Sequence, residues 1–226
     1  MMTEAQIKEK TGDQNVKEKL KQRQAINEDY EKTGYDRGHL NPRDFQGGDD
    51  CLATFTLTNA APQQSRFNRV HWRKLECNLK IQLTEKCYKE KGKAFLVTGV
   101  VPDKQKKIPN KDNNRDPRVV VPSHFWTAVC CNHADNNKKF AFAFLWENEA
   151  NSIPKGMTVK DLNTELQRLY GGNQAITILN DCNEDGQTGK DISAAISKKL
   201  HSNLPNTDQD PCQTPGSSGA KRRRTK

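Results

Sequence analysis

Hydrolysis of a phosphodiester requires a base for the attacking water, oxygen donors for a charge-neutralising cation and positive groups to position the phosphate. The chain offers a candidate for each. His39 stands in Asp36-Arg37-Gly38-His39, before a Leu40-Asn41-Pro42 turn at the start of a β region. Imidazole titrates near neutrality, which makes His39 the candidate general base. Asn68 is the candidate metal ligand, because an amide oxygen is a neutral, hard donor suited to Mg2+, which keeps most of its waters. Mn2+ and Ca2+ share that preference for oxygen. Asn68, Trp72 and Glu76 are spaced i, i+4, i+8, near one face of a helix, so Glu76 would support the cation through a water. Arg37, Arg66, Arg69, Arg73 and Lys74 are candidate phosphate holders, although each taken singly is more often a solvated charge.

The elements that must position these side chains can be read in outline. Residues 3–33, dense in Lys, Glu and Gln, predict a solvated helix ended by Gly34. A polar loop is expected over 43–50. The alternation Thr54-Phe55-Thr56-Leu57-Thr58-Asn59 predicts a half-buried strand stopped by Pro62. From Ser65 to about Lys89 the pattern predicts a helix, N-capped by Ser65, with Phe67, Val70, Leu75, Leu79 and Leu83 on its apolar side. A short buried strand follows at 94–99, then a charged loop at 103–116. A strand pair at 119–121 and 125–130 is punctuated by Pro122. Another strand is expected at 140–146, a helix at 159–170 closed by Gly171-Gly172, and a last small element at 176–179. Strands, one long helix, then more strands indicate the α+β class.

The 226 residues suit one domain with polar ends: a helix-like segment over 1–24, a folded domain over 25–200 and a disordered basic tail over 201–226. Five cations in the last six residues leave a body charge of only +4 out of +9, a weak pointer to a polyanionic partner. No window has the length and apolarity of a membrane span, and residues 1–14 lack the apolar run of a signal peptide. Seven cysteines with no C-x-x-C pair point to disulfides, with an odd thiol left over.

Taken together, Asp36-Arg37-Gly38-His39, Thr58-Asn59-Ala60-Ala61-Pro62-Gln63 and the run from Asn68 through Trp72 to Leu75-Glu76 resemble the DNA/RNA non-specific endonuclease family. Val97-Thr98-Gly99 and Val121-Pro122-Ser123-His124-Phe125 extend the likeness, which covers about residues 25–179. Gln24 to Tyr30 and Leu40-Asn41-Pro42 are similar to the endonuclease domain-containing 1-like branch. The resemblance implies a ββα-metal fold, mainly antiparallel, with one long site helix. It implies a Mg2+-dependent hydrolase of DNA and RNA with His39 as base, Asn68 as direct ligand and Glu76 as a water-mediated one. Arg37 and Asn59 would support the phosphate and the site. A secreted, disulfide-containing protein is also implied, with the Lys221-Arg222-Arg223-Arg224 tail suggesting a nuclear address instead. Family members carry more chain before the motif, so the expectation is a smaller sheet or an incomplete chain lacking N-terminal strands. The rival reading is a catalytically impaired nucleic-acid-binding or interaction module of the same fold.

Overall fold

The computed structural model describes residues 4–110, 116–180, 182 and 185–201. The charged N-terminal stretch forms three short helices rather than the single one expected: α1 (Glu4–Thr11), α2 (Val16–Lys21) and α3 (Asn27–Tyr30). Gly12, at φ +66, ends the first in the left-handed region that closes helices. Ile26 and Tyr30 are buried, so the segment is not solvated throughout. The carboxylate of Asp29, itself buried, accepts from the Ile26 N–H and from Arg118, and Arg118 also donates to the Gln24 carbonyl. This ion pair fastens α3 to the chain far downstream.

Strand β1 (Tyr35–His39) leads to a single turn at Arg43–Phe45, inside the expected loop, and to α4 (Gly48–Ala53), which begins in that loop and runs past its end. The strand expected at 54–59 forms instead as β2, at Ala60–Gln64. Local hydrogen bonds bend the earlier segment: the Thr54 and Thr56 hydroxyls donate to the Cys51 and Ala53 carbonyls, and Asn59 Nδ2 donates to the Thr54 carbonyl. Pro62 lies inside β2, opposite Arg37. The flanking bonds Leu40 N–H to Asn59 and Ser65 N–H to Gly34 fix the ladder's phase and put Pro62 at a non-hydrogen-bonded position, where its missing N–H is not needed.

The long helix runs from Ser65 through a π-helical turn (Phe67–Trp72), α5 (Arg73–Leu83) and a second π-helical turn (Thr84–Tyr88). Its cap is Gln64, whose side-chain oxygen accepts from the Phe67 N–H; the expected cap, Ser65, instead donates to the Gly34 carbonyl and meets Asp36.

The second sheet is an antiparallel meander of β3 (Lys93–Ile108), β4 (Val119–Asn132), β5 (Phe140–Glu147) and β6 (Lys155–Met157). Strand β3 is an exposed edge rather than a short buried strand, and it continues past Gly99 into the expected loop. It does so through two register shifts, one at Pro102, which has no N–H to give the ladder. The expected pair at 119–130 is one strand running through Pro122. In β5, Phe140, Phe142, Phe144 and Trp146 face one core with Phe67, Leu75 and Leu79 of the long helix, while Ala141, Ala143 and Leu145 face the other. That second core is covered by α6 (Val159–Tyr170), which ends at Gly171 as expected. Residues 176–179 form no element but pack Ile176, Ile178 and Leu179 there. A further helix, α7 (Gln187–His201), was not expected; Ile192 and Ile196 join the first core.

Adjacent cysteines on β4 point to opposite faces and so take partners from opposite sides. Cys131 bonds Cys87 at the end of the long helix, and Cys130 bonds Cys182 beyond α6. Among the described residues Cys51 is free. The expected tail lies beyond the described residues except for His201.

Buried Asn148 joins the two sheets. Its Nδ2 donates to the Pro62 and Pro122 carbonyls at 3.0 and 2.9 Å, and its Oδ1 accepts from the Gln64 N–H at 2.8 Å. Asn148→Ala strands three backbone groups, and urea unfolding should show a stability loss of about 1–3 kcal/mol.

Candidate active site

His39 ends β1, and its position is set from both sides. Gly38 admits the buried Gln63 side chain: a Cβ at 38 would sit 2.1 Å from Gln63 Oε1, so no other residue fits. Beyond His39, Asn59 clasps the turn. Its Oδ1 accepts from the Asn41 N–H at 2.9 Å, and its Nδ2 donates to the Asn41 and Thr54 carbonyls. Asn59 therefore acts on the loop that carries His39 rather than presenting its amide to a ligand. The Phe55 ring stands edge-on to the His39 ring at 5.3 Å. Burial pushes the His39 pKa below the ordinary 6.5, and its Nε2 is enclosed with no hydrogen-bond partner among the described residues.

Asp36 sets the opposing wall. Its carboxylate accepts from Arg69 Nε and Nη2 at 2.8 and 2.7 Å, from Asn68 Nδ2 at 3.0 Å and from the Ser65 hydroxyl at 3.1 Å. Burial works against charge on Asp36, but these donors outweigh it and hold the carboxyl below its usual range. An ionised carboxylate only accepts hydrogen bonds, so the Asn68 atom facing it must be the nitrogen. The Asn68 carbonyl oxygen is left for another partner.

His39, Asn68, Arg69, Arg73, Asp44 and Glu76 line one cleft of about 310 Å³. Burial pushes the Glu76 carboxyl up to about 8, with the Trp72 indole beside it pulling the other way. A carboxyl so disfavoured as an anion is stabilised in its charged form by a nearby cation. The oxygen donors of Asn68 and Glu76 fit a hard divalent ion, and Asp36 already orients one of them. Among the described residues no cluster of three His, Cys, Asp or Glu offers another metal site.

The sequence spacing placed Trp72 beside Asn68 and Glu76. The structure keeps Asn68 and Glu76 together and buries the Trp72 ring in the core against Phe67 and Phe125, with its indole still beside Glu76. The π-helical turn at 67–72 breaks the simple i+4 phase there. Arg37 lines an adjoining cleft and donates to Asn27 Oδ1 at 2.6 Å. Arg66 is exposed and does not line either cleft. Sequence reasoning gave no role to Asp36, although it belongs to the same tetrad as His39. It also passed over Asp44, whose carbonyl accepts from Lys80 Nζ at 2.6 Å.

The family model for the DNA/RNA non-specific endonuclease matches residues 10–179, three-quarters of the chain. The chain belongs to this family. It is 32% identical over 168 residues to the human Endonuclease domain-containing 1 protein, covering 74% of this chain and 30% of that one. It is 32% identical over 133 residues to Nuclease C1 of Cunninghamella echinulata var. echinulata, covering 54% and 49%. The chain thus spans less than half the length of these relatives. A chain from the crystal structure of the EndoG/EndoGI complex superposes with a TM-score of 0.50 at 22% identity, covering 70% of this chain and 66% of that one. With β1, β2 and the long helix forming the unit around His39, the fold is that of the ββα-metal nucleases. Among the described residues no helix is long and apolar enough to cross a membrane.

A histidine with a lowered pKa is neutral at pH 7, and the stability tied to its neutral form is lost as pH falls below 6.5. An NMR titration should place the His39 midpoint below those of freely solvated histidines.

Proposed function

We propose that the protein is a metal-dependent endonuclease that hydrolyses DNA and RNA with little sequence preference. One observation carries this reading: the candidate base, His39, and the oriented carbonyl of Asn68 open onto the same cleft, with Glu76, Arg69 and Arg73 around them. The family membership supports it.

Mg2+, or Mn2+ or Ca2+ in its place, would be held by Asn68 directly and by Glu76 through a water. When bound, it supplies Lewis-acid charge at the scissile phosphate and the departing 3′ oxygen, leaving a 5′-phosphate. The neutral His39 imidazole takes the proton of the attacking water, and burial keeps it in the accepting form at pH 7. Asp36 holds Asn68 in one amide orientation and draws Arg69 against the cleft wall. Arg73 meets the phosphate at the rim, and Arg66 extends the basic surface outside it. Arg37 supports the strand from the adjoining cleft, while Asn59 holds His39 in position. These groups address phosphate rather than base edges, so affinity should fall with salt and vary little with sequence.

The Cys87–Cys131 and Cys130–Cys182 disulfides support a secreted protein, and the basic tail supports the nuclear alternative. Plasmid cleavage with Mg2+, with EDTA and with His39→Ala tests the reading. The parent should cut only with the metal, and His39→Ala should lose about 10²- to 10⁴-fold in rate. A folded parent that binds nucleic acid without cutting it would instead make the chain a binding module of this fold.

A further inference from the structure

His39 forms part of the wall of a second, larger cleft of about 580 Å³, whose other walls come from α3, β1 and the 54–57 segment. That size lies within the usual range for small-ligand sites, roughly 300–1,000 Å³. Three features distinguish it from an ordinary surface hollow. Phe55, at the wall, is 55% exposed and faces the His39 ring. Tyr30, only 6% exposed, also lines it, and its hydroxyl has no hydrogen-bond partner among the described residues. An enclosed hydroxyl left unpaired is costly and points to a ligand that satisfies it. The Arg37 guanidinium is held at the wall by Asn27, and Lys106 Nζ lies 5.6 Å from the centre of the Tyr35 ring.

We propose that this cleft receives one unstacked nucleobase of the strand being cut, with Phe55 supplying the stacking face. The placement rests on the nuclease reading above, which puts the scissile phosphate on the Asn68 side of His39. A base next to that phosphate reaches the Phe55 side of the same histidine. Its ring stacks on Phe55, its polar edge meets Tyr30 and Asn27, and its own phosphate meets Arg37. In a duplex both faces of a base are covered by its neighbours, so the cleft selects single-stranded or locally opened DNA and RNA. Every base has such a face, so the cleft adds a preference for strand form without adding one for sequence.

Stopped-flow fluorescence of the whole chain in Mg2+ tests this, using a single-stranded oligonucleotide carrying 2-aminopurine and its hairpin duplex. The parent should quench the single strand before cleavage and bind it more tightly than the duplex. Phe55→Ala should lose the quench and weaken single-strand binding by about 5- to 150-fold, the range for loss of one stacked base. Duplex binding should be unchanged, and Phe55→Tyr should restore the parent behaviour. A parent that cuts without quenching, or a Phe55→Ala protein that binds and quenches like the parent, overturns the base subsite alone. A parent that quenches but never cuts supports the subsite and overturns the nuclease reading. A folded parent that neither binds nor cuts overturns both.

Discussion

A carboxylate that can only accept hydrogen bonds holds this site in register. Asp36 gathers Asn68, Arg69 and Ser65 onto one charge and thereby joins β1 to the start of the long helix. Because Asp36 cannot donate, the Asn68 amide has one orientation, with its oxygen turned away. His39, three residues later on the same strand, is fixed relative to that oxygen by the strand itself. One ionised group therefore ties the candidate base and the candidate ligand to each other. The Arg69 side of its ion pair is largely exposed, which limits what the pair adds to stability. Its contribution is geometric.

The rest of the fold keeps this small assembly rigid. The two-stranded ladder is too short to be stable alone. It is held by Asn148 to the four-stranded meander and by the long helix, whose Phe67, Trp72 and Leu75 anchor into the core against Phe125 and Trp146. Cys87–Cys131 pins the far end of that helix to β4. Packing thus fixes the helix axis while the π-helical turn lets Trp72 point inward and Asn68 and Glu76 outward. The same enclosure sets the electrostatics: it keeps His39 neutral and makes an anionic Glu76 unfavourable without a cation.

Local patterns were legible in the sequence where one periodicity ruled. Phe140 to Trp146 and Val159 to Tyr170 read correctly because a buried strand and an amphipathic helix with a closing glycine carry their signals internally. The pairing of His39 with Asn68 and Glu76 came from motif resemblance and spacing together. What was not legible depended on contacts across the chain. The Thr-rich alternation at 54–59 imitates a strand, but its hydroxyls bond to nearby carbonyls and bend it. Pro62 looked like a stop because its ladder phase is set by partners outside the segment. The α7 helix is weakly marked by its own residues and gains its place from Ile192 and Ile196 in the core, where Gly189 packs so closely that a Cβ would meet the Ala141 carbonyl oxygen at 1.9 Å. Asp36 was visible as a residue, but its role appears only when the helix stands over β1.

The most direct measurement is the Mg2+ dependence of plasmid cleavage by Asp36→Asn beside the parent, with folding checked by circular dichroism. An amide at 36 can face Asn68 with either end, which removes the constraint on the ligand while keeping the shape. A rise of about tenfold or more in the Mg2+ midpoint is expected, as for lost support behind a metal ligand. An unchanged midpoint and rate in the folded variant would contradict the account.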